Sequence, residues 1–406
     1  MANPDLTRLL NHPNREFFSL KNWQKFLAPI NQRILVALIQ KYQSDKWVKT
    51  LFTQNILNLY LFIGLTIGKT VTLRMIEIIS HSAFARFFTG LTHGFSRSGL
   101  SDRHQAIPAD LFRDLLYYLV QQAGPKGKKL IKEAKDRVKI FDATFISLAH
   151  KLIPWACQSV KQGLVSLTLR INEGSWLPDR IILTNQPSDH TLFADLIDWQ
   201  HQGITYLFDR GFSNFDVLNR IIASRNCFIT RLPSGYVYKV LKCLKIKQPS
   251  GGKITILSDQ QIRVGGKTRP NKFVARLITV VNDQNEKLYF LTNRFDLTAW
   301  EVCEIYRQRW QIEILFKWLK SQLKINRVIA YGENGFYLQI YMGLILHVLI
   351  MLYRQRQHLT AHSLLDVYRT LQSWVYDFWG YSMFMLGVSI GPPYYFSNLK
   401  GGPIYA

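Results

Sequence analysis

Three carboxylates occupy positions at which a carboxylate needs a partner. Asp142 interrupts an apolar run, Asp209 closes another, and Glu313 lies among cations in a predicted helix. Burial of an unpaired carboxylate is costly, so convergence of the three would require a compensating positive charge. Oxygen ligands favour Mg²⁺ or Mn²⁺ over zinc, and two such ions can activate a water or a 3′-hydroxyl and stabilise the leaving oxygen of a phosphodiester. The three acids together predict a two-metal site.

Each acid also has an ordinary structural interpretation. Asp142 alone could be a hydrogen-bonded core residue, and Asp209 could be a turn residue paired with Arg210. The helix around Glu313 could present a solvated basic face with internal ion pairs. The hypothesis of a site therefore depends on all three acids occurring together in suitable elements.

One long helix is predicted from Thr298 to about Lys324. Thr298 and Glu301 have the spacing of a capping box, and the run that follows contains neither Pro nor Gly. Spacings of three and four place polar side chains on one face, namely Tyr306, Arg309, Glu313, Lys317, Lys320 and Lys324. A second face carries an apolar stripe whose burial is expected, namely Ile312, Leu315, Phe316, Leu319 and Leu323.

The two Asp residues fall on predicted strands of one α/β layer. Asp142 lies within the strand RVKIFDATFISL, and Asp209 directly follows the strand ITYLF. If these strands are neighbours, the two acids lie side by side. The carboxyl ends of strands are also where open α/β sheets place their sites.

The flanking regions differ in character from this layer. Helices with interleaved basic and aromatic residues before the layer suit DNA binding, although a helical bundle with a solvated basic surface is also compatible. A β-rich segment follows the layer, and either a DNA-facing or a purely structural role fits it. The expected division is a helical N-terminal DNA-binding region at 1–123, a first part of the catalytic core at 130–233, a β-rich insertion at 234–296, a second part of the core at 297–380 and a tail without an assigned role at 381–406.

The composition favours a polyanionic partner. Lys and Arg number 51 against 27 Asp and Glu, which gives a net charge of +24. An anionic membrane surface is the competing explanation, but the apolar stretches 56–68 and 336–353 are expected to be buried core helices rather than membrane spans. The four cysteines are scattered without a zinc-ligand pattern, which favours a reduced cytosolic interior.

The motifs together resemble those of a known family. Tyr306, Arg309, Glu313 and Lys320 are separated by two, three and six residues, and Asp142-Ala143-Thr144 and Asp209-Arg210-Gly211 precede them in order. This pattern resembles the DDE transposases of bacterial insertion sequences, in the subgroup with a Tyr-Arg-Glu-Lys signature and a β-strand insertion in the catalytic domain. The resemblance covers residues 137–347 well and the N-terminal part only in general character.

The resemblance implies an RNase H-like catalytic core in which the three acids ligate two Mg²⁺ (or Mn²⁺) ions. It implies hydrolysis at the transposon end, then attack by the 3′-hydroxyl on the other strand, commonly through a hairpin, or on target DNA. The partners would be the double-stranded terminal inverted repeats and target DNA, bound by a homodimer in a synaptic complex. Localisation would be cytoplasmic, with nucleoid association when DNA is bound.

Further side chains receive roles from the same resemblance. Tyr306, Arg309 and Lys320 would contact DNA phosphates, and Arg210 would help to hold a phosphate or the acidic cluster. Lys317 would act through its charge alone. Trp300 and Trp310 are candidates for stacking on a flipped base, with core packing as the alternative for each.

Two alternatives remain beside the transposase hypothesis. A two-metal nuclease or resolvase on the same core would cut DNA without joining ends to a target. A non-catalytic DNA-binding derivative of a transposase would need a damaged acid triad, and this sequence has all three acids.

Overall fold

The computed structural model describes residues 20–66, 72–123, 137–149, 154–158, 162–185, 192–212, 214–232, 237–246, 254–265 and 273–385. The backbone falls into two compact units, one formed by residues 1–119 and 334–406 and the other by residues 120–333. The second part of the expected catalytic core, 297–380, extends from one unit into the other. Most of the expected tail, 386–406, lies outside the described residues.

The first unit is helical wherever it is described. Asn31, Thr72, Ser82 and Ser96 cap four of its helices by accepting backbone N–H groups that the helix itself leaves unpaired. The helices of the chain are α1 (Leu20–Leu27), α2 (Gln32–Tyr42), α3 (Thr53–Thr66), α4 (Leu73–Ser80), α5 (Ala83–Thr89), α6 (Arg97–Ala106), α7 (Ala109–Ala123), α8 (Phe215–Ala223), α9 (Ala299–Arg307), α10 (Trp310–Ser321), α11 (Glu333–Arg356) and α12 (Leu364–Met385).

Two apolar helices, α3 and α11, supply much of the core of the first unit. They approach closely at Gly64, where a Cβ atom would lie only 2.4 Å from the side chain of Leu346. Among the described residues, α11 alone is long and apolar enough to cross a membrane, and 83% of its most apolar window is buried within the fold. Such burial on all sides is typical of a core helix, as predicted for 336–353.

The second unit is built on one large mixed sheet. Its strands are β1 (Arg137–Ala149), β2 (Cys157–Gln158), β3 (Gln162–Asn172), β4 (Pro178–Thr184), β5 (Ile204–Phe208), β6 (Cys227–Leu232), β7 (Tyr238–Cys243), β8 (Ile254–Val264), β9 (Phe273–Asn282) and β10 (Lys287–Thr292). Their order across the described sheet is β2-β3-β1-β5-β6-β10-β9-β8-β7, and β4 also pairs with β3. The strands of the β-rich segment thus continue the sheet that carries Asp142.

Strands β1, β5 and β6 form the parallel centre of this sheet. β1 pairs in parallel with β5, and β5 pairs in parallel with β6, while the outer strands are antiparallel. All five residues of β5 are buried, as expected for a parallel strand with both faces covered. The condition under which the two Asp residues lie side by side, that their strands are neighbours, is therefore met.

An aromatic cluster fixes one face of the central strands. The rings of Phe141 and Phe208 stack with centroids 4.9 Å apart, and the ring of Phe212 meets Phe141 edge-on at 5.1 Å. All three side chains are fully buried or nearly so. Because successive residues of a strand point to opposite faces, Phe141 in this cluster directs Asp142 to the other side of the sheet.

The prediction of a single long helix from Thr298 to about Lys324 is wrong. The chain forms two helices, α9 and α10, with a turn at Gln308 and Arg309 between them. The capping box of Thr298 and Glu301 is present, as predicted. At the turn, the Arg309 N–H bonds to the carbonyl of Tyr306 at 2.9 Å, an i→i−3 bond that tightens the helix. The turn contains no Pro or Gly, and Arg309 within it donates to Asp142 on β1.

The apolar stripe of the predicted helix is buried on α10 and just beyond it. Ile312, Leu315 and Leu319 have no exposed surface, and Leu323 is 9% exposed. α10 packs against β1, and the Gln311 side chain accepts the backbone N–H of Gly174 at 3.0 Å, in the turn after β3. These contacts fix the helix that carries Glu313 relative to the sheet.

Candidate active site

Asp142 and Asp209 lie at the same level of two adjacent parallel strands. The β1–β5 register pairs Ile140 with Leu207, and continuing it by two residues brings Asp209 level with Asp142. The stacked rings of the intervening residues, Phe141 and Phe208, support this continuation. The sheet therefore brings together two acids that are far apart in the sequence.

Burial dominates the electrostatics of Asp142. It raises the pKa of the carboxyl from 3.8 to about 6, against the lowering effects of the Ala143 N–H at 2.8 Å and of the Arg309 guanidinium. The negative charges of Asp209 and Glu313 raise this pKa further. Asp209 and Glu313 are thus both close enough to Asp142 for their charges to affect it.

Arg309 lies between two of these acids. Its Nη1 donates to Oδ2 of Asp142 at 3.2 Å, and its Nη2 donates to Oε1 of Glu313 one helical turn later. The guanidinium is 12% exposed. Burial opposes its charge, but neighbouring Tyr306, Glu313 and Asp142 raise its pKa above the ordinary value. One cation therefore serves two carboxylates while a third stands nearby.

The aromatic ring of Tyr306 packs against Phe290 and lies near the Arg309 guanidinium. Its ring meets Phe290 edge-on at 5.0 Å, and the Arg309 guanidinium carbon lies 5.7 Å from its centroid. Burial raises the pKa of Tyr306 to about 12, so the hydroxyl stays neutral. Among the described residues, neither this hydroxyl nor the Nε of Arg309 makes a hydrogen bond of standard geometry. Arg309 nevertheless lowers the pKa of Tyr306 through its charge and a side-chain hydrogen bond, so the two groups interact without ideal geometry.

Lys320 reaches the same strand from the far end of α10. Its Nζ donates to Oγ1 of Thr144 at 2.6 Å and to the carbonyl of Phe145 at 2.8 Å. Partial burial lowers its pKa. Thr144 lies two residues after Asp142 and therefore points to the same face of β1, so Lys320 lies beside the acidic group. In the described structure no carboxylate is within salt-bridge distance of Lys320.

The remaining predicted residues lie further out. Arg210 and Lys317 are exposed, and the described residues contain no ion pair between Arg210 and Asp209. Trp300 is half-buried, whereas Trp310, the first residue of α10, is 60% exposed. Core packing, the alternative considered for both tryptophans, is therefore excluded for Trp310.

The oxygen atoms of the three acids suit a hard divalent cation, but the described side chains are not arranged to bind one. Asp142, Asp209 and Glu313 offer only carboxylate oxygens, which suit Mg²⁺ or Mn²⁺. No group of three acidic, His or Cys side chains among the described residues is close enough to hold an ion as it stands. Arg309 instead provides the positive charge between two of the acids.

Two residues that contact the candidate site residues were not predicted from the sequence. Thr144 belongs to the Asp142-Ala143-Thr144 motif, but its hydrogen bond from Lys320 was not predicted. Its spacing of two residues from Asp142, which places both side chains on one face of a strand, could have indicated it. Phe290, which supports the ring of Tyr306, comes from β10 and had no such signal. Only the fold brings it to the site.

Comparison with known proteins gives consistent matches. Residues 133–349 match the family model described as the transposase DDE domain. A protein of Sinorhizobium fredii described as transposase y4zB is 25% identical over 262 residues, which cover 64% of this chain and 72% of the relative. Proteins described as transposases of the insertion sequence elements IS5377 of Geobacillus stearothermophilus and IS4SA of Synechocystis are 22% and 25% identical, and the matches cover 71% and 73% of those relatives and 66% and 65% of this chain.

A solved structure resembles the chain weakly. It is a piggyBac transposase synaptic complex with hairpin DNA, 9% identical in sequence, and the superposition covers 90% of this chain and 82% of that chain with a TM-score of 0.47. A likeness at this score does not by itself assign a fold.

Proposed function

Because the chain belongs to the family of the transposase DDE domain, we propose that it is the transposase of an insertion sequence and moves that element by cutting and rejoining DNA. The observation that carries this proposal is the convergence of three acids from separate elements. Asp142 lies on β1, Asp209 directly follows the adjacent parallel strand β5, and the charge of Glu313 affects Asp142. A purely structural acid would not need two further acids beside it.

Asp142, Asp209 and Glu313 are proposed to hold two Mg²⁺ ions. Bound Mg²⁺ would supply activation of the attacking oxygen and charge stabilisation at the leaving oxygen of the phosphodiester. The raised pKa of Asp142 fits such a role, because a divalent cation offsets the burial that now favours its protonated form. Arg309 would have to release Asp142 and Glu313 when the ions bind.

The signature side chains are proposed to hold the DNA end. Released from the acids, Arg309 has a planar guanidinium suited to two oxygens of one phosphate. The buried hydroxyl of Tyr306 can donate to a phosphate oxygen, and Lys320 adds a cation that is not neutralised by a carboxylate. With these roles the chain would be a member of the subgroup with the Tyr-Arg-Glu-Lys signature and an RNase H-like core.

The outer residues are proposed to act more generally. Arg210 and Lys317 would attract the phosphate backbone through their exposed charges. Exposed Trp310 is better suited to stack on a flipped base than half-buried Trp300. The indole of Trp310 directly follows Arg309 in the chain, so a flipped base would lie near the phosphate that this arginine holds.

The proposed reaction has two stages. Hydrolysis at the transposon end leaves a 3′-hydroxyl, and that hydroxyl then attacks a phosphodiester of the opposite strand, giving a hairpin, or of target DNA. In the first stage a water oxygen bonds to the phosphorus and the 3′-oxygen leaves, and in the second the 3′-hydroxyl bonds to a phosphorus from which another 3′-oxygen leaves. The first stage is a hydrolysis and the second conserves the number of phosphodiesters, so no external energy source is required. A homodimer pairing two terminal inverted repeats in the cytoplasm completes the proposal, with residues 1–123 as the DNA-binding region and 234–296 as the β-rich insertion of the core.

The test is cleavage and joining of a duplex that carries the terminal repeat of the element. Wild-type protein with Mg²⁺ is expected to nick the end and transfer its 3′-hydroxyl to a target plasmid. Glu313→Gln should lower cleavage by roughly a hundredfold or more while DNA binding persists. A matched variant from the preceding helix, Glu304→Gln, removes an exposed surface pair with Arg307 and should remain active.

The outcomes separate the alternatives. Cleavage without any joining would support a nuclease or resolvase instead of a transposase. Binding without cleavage by the wild-type protein would support a non-catalytic derivative. Full cleavage by the Glu313→Gln protein would remove Glu313 from the proposed metal ligands.

A further inference from the structure

The loop between α2 and α3 exposes a large aromatic side chain. We name residues 43–52 the tryptophan loop, after Trp47, which is 89% exposed. This is the most exposed of the large apolar side chains that the structure describes. A tryptophan normally stabilises the folded state by burying its large apolar surface, and exposed Trp47 does not do so.

The tryptophan loop is held in place from beneath. The buried guanidinium of Arg103, on α6, donates to the carbonyls of Ser44 at 3.0 Å and Leu51 at 2.8 Å, near the two ends of the loop. It also pairs with Asp45 at 2.9 Å, and the same carboxylate accepts the backbone N–H of Thr53 at 2.8 Å. The exposure of the indole is therefore a property of a built loop and not of a frayed end.

The backbone at the tip of the loop is strained. Trp47 has a φ of +63°, in the left-handed region that bulky side chains rarely adopt and glycine adopts freely. The sequence thus keeps a tryptophan where glycine would fit better, although the ring is not buried in the fold. Strained positions that give no packing in return are candidates for function.

The charges around the indole indicate what it would contact. Lys46 and Lys49 are exposed on either side of Trp47, and the Lys46 ammonium lies 6.0 Å from the indole centroid. The only carboxylate of the loop, Asp45, is engaged by Arg103. The surface offered to a partner is therefore an aromatic face flanked by cations, which is the composition of sites that bind nucleic acid.

We propose that the tryptophan loop is a DNA-contacting site in which Trp47 stacks on an exposed base while Lys46 and Lys49 pair with the adjoining phosphates. The inference rests on the proposed function, because it takes DNA as the substrate, but it concerns the helical unit and none of the acidic residues. Stacking uses the π-face of a base, so the contact is tolerant of sequence and stronger for unpaired bases than for a closed duplex.

The test measures binding of the full-length protein to a labelled strand of about twenty nucleotides of arbitrary sequence, alone and as a duplex, in EDTA. Trp47→Gly should weaken single-strand binding about tenfold, the scale of one lost base stack, with a smaller effect on the duplex. Trp47→Phe should retain most of the affinity, because it keeps an aromatic face. Ile78→Ala, which trims an exposed apolar side chain of the same unit, should change nothing.

Two further readouts separate stacking from charge and from folding. Trp47→Gly should leave the slope of log K against log salt unchanged, whereas Lys46→Gln should reduce its magnitude by about one. The melting temperature of Trp47→Gly should be equal to or above that of the wild type, since glycine relieves the left-handed backbone. A fall of several degrees would mean that the indole serves folding, and would overturn the proposal.

Unaltered DNA binding by Trp47→Gly would also overturn it and would leave a protein partner as the explanation for the exposed indole. These results are distinguishable from a failure of the proposed function. Wild-type protein that binds DNA through Trp47 but never cleaves would remove the transposase activity and leave this inference standing. Normal cleavage by the wild type together with unaltered DNA binding by Trp47→Gly would support the proposed function and overturn the inference about the tryptophan loop.

Discussion

Two arginines of the sheet unit, buried Arg276 and half-buried Arg309, have different sets of partners. Arg276 on β9 faces a single acid, Asp259 on β8, with Nε to Oδ1 at 2.8 Å and Nη2 to Oδ2 at 2.6 Å. Its Nη1 donates to the carbonyls of Arg294 and Leu297. Arg309, by contrast, is shared between two acids with a third close by, and its Nε is without a hydrogen bond of standard geometry among the described residues.

The difference separates a structural pair from a site. Around Arg276 the charges balance one to one and every guanidinium nitrogen is used, so a further ligand would gain nothing there. Around Arg309 two acids, Asp142 and Glu313, share one guanidinium, and the charge of a third, Asp209, acts on Asp142. The side chains of Arg276 and Arg309 are 5% and 12% exposed, so charge balance and the hydrogen-bond pattern distinguish the two arginines more clearly than burial does.

The largest effect on stability is expected from breaking the balanced pair. Arg276→Met leaves Asp259, whose side chain is 1% exposed, buried without a cation. The free energy of unfolding should fall by about 3–5 kcal/mol, as measured by urea denaturation. The double variant with Asp259→Leu should recover most of this loss, because neither charge then remains.

Removal of an exposed pair provides the matched control. Arg97→Ala breaks an ion pair with Glu77 in which the arginine side chain is 61% exposed. Its cost should be within about 1 kcal/mol. Equal losses for Arg97→Ala and Arg276→Met would mean that burial does not set the cost of breaking an ion pair in this protein.

A pH-dependent effect is expected at Asp142. Its folded-state pKa of about 6 exceeds the ordinary value of 3.8, so its contribution to stability is fully present below about pH 4 and is lost as the pH rises through 6. In EDTA at about pH 8, Asp142→Asn should therefore be more stable than the wild type by up to about 3 kcal/mol. Thermal denaturation between pH 4 and 8 measures this difference.

Added Mg²⁺ should reverse the ranking of these two proteins. The wild type should gain stability with Mg²⁺ by mass action, and Asp142→Asn should gain much less because it lacks one proposed ligand. Asp259→Asn, at the balanced pair, should respond to Mg²⁺ as the wild type does, because Asp259 is not a proposed ligand. A wild-type protein without any Mg²⁺ response at about pH 8 would count against the proposed metal site.

A smaller effect is expected when Arg309 is removed. Arg309→Gln in EDTA leaves Asp142 and Glu313 without their cation, but Glu313 is 33% exposed and can hydrate. We expect a loss of about 1–2 kcal/mol, which Mg²⁺ restores by replacing the missing charge. The loss in Arg276→Met, measured against the wild type at the same Mg²⁺ concentration, should not be restored. If Mg²⁺ rescued both variants or neither, the contrast between the two arginines would disappear.

Sequence patterns predicted those parts of the site that depend on local spacing. The capping box at Thr298 and the buried stripe that includes Ile312 and Leu315 are confirmed. The sequence left open whether the two Asp-bearing strands are neighbours, and the structure pairs them. The turn at Arg309 was not predicted, since no Pro or Gly marks it and the residue that Arg309 contacts there, Asp142, lies 167 positions earlier in the chain. The catalytic and DNA-binding roles of these residues stay predictions.

The smallest effect on stability is expected at Lys320, whose cation donates, among the residues that the structure describes, to the neutral oxygens of Thr144 and Phe145 alone. Lys320→Met keeps the aliphatic stem and should cost at most about 1 kcal/mol. It should nevertheless weaken DNA-end binding and lower the magnitude of the salt slope by about one, because a cation without a carboxylate is free to pair with a phosphate. Lys317→Met, which removes an exposed cation of the same helix, is the matched control and should affect cleavage less. Equal cleavage defects in the two variants would mean that general charge, rather than the position of Lys320 beside Asp142, explains its effect.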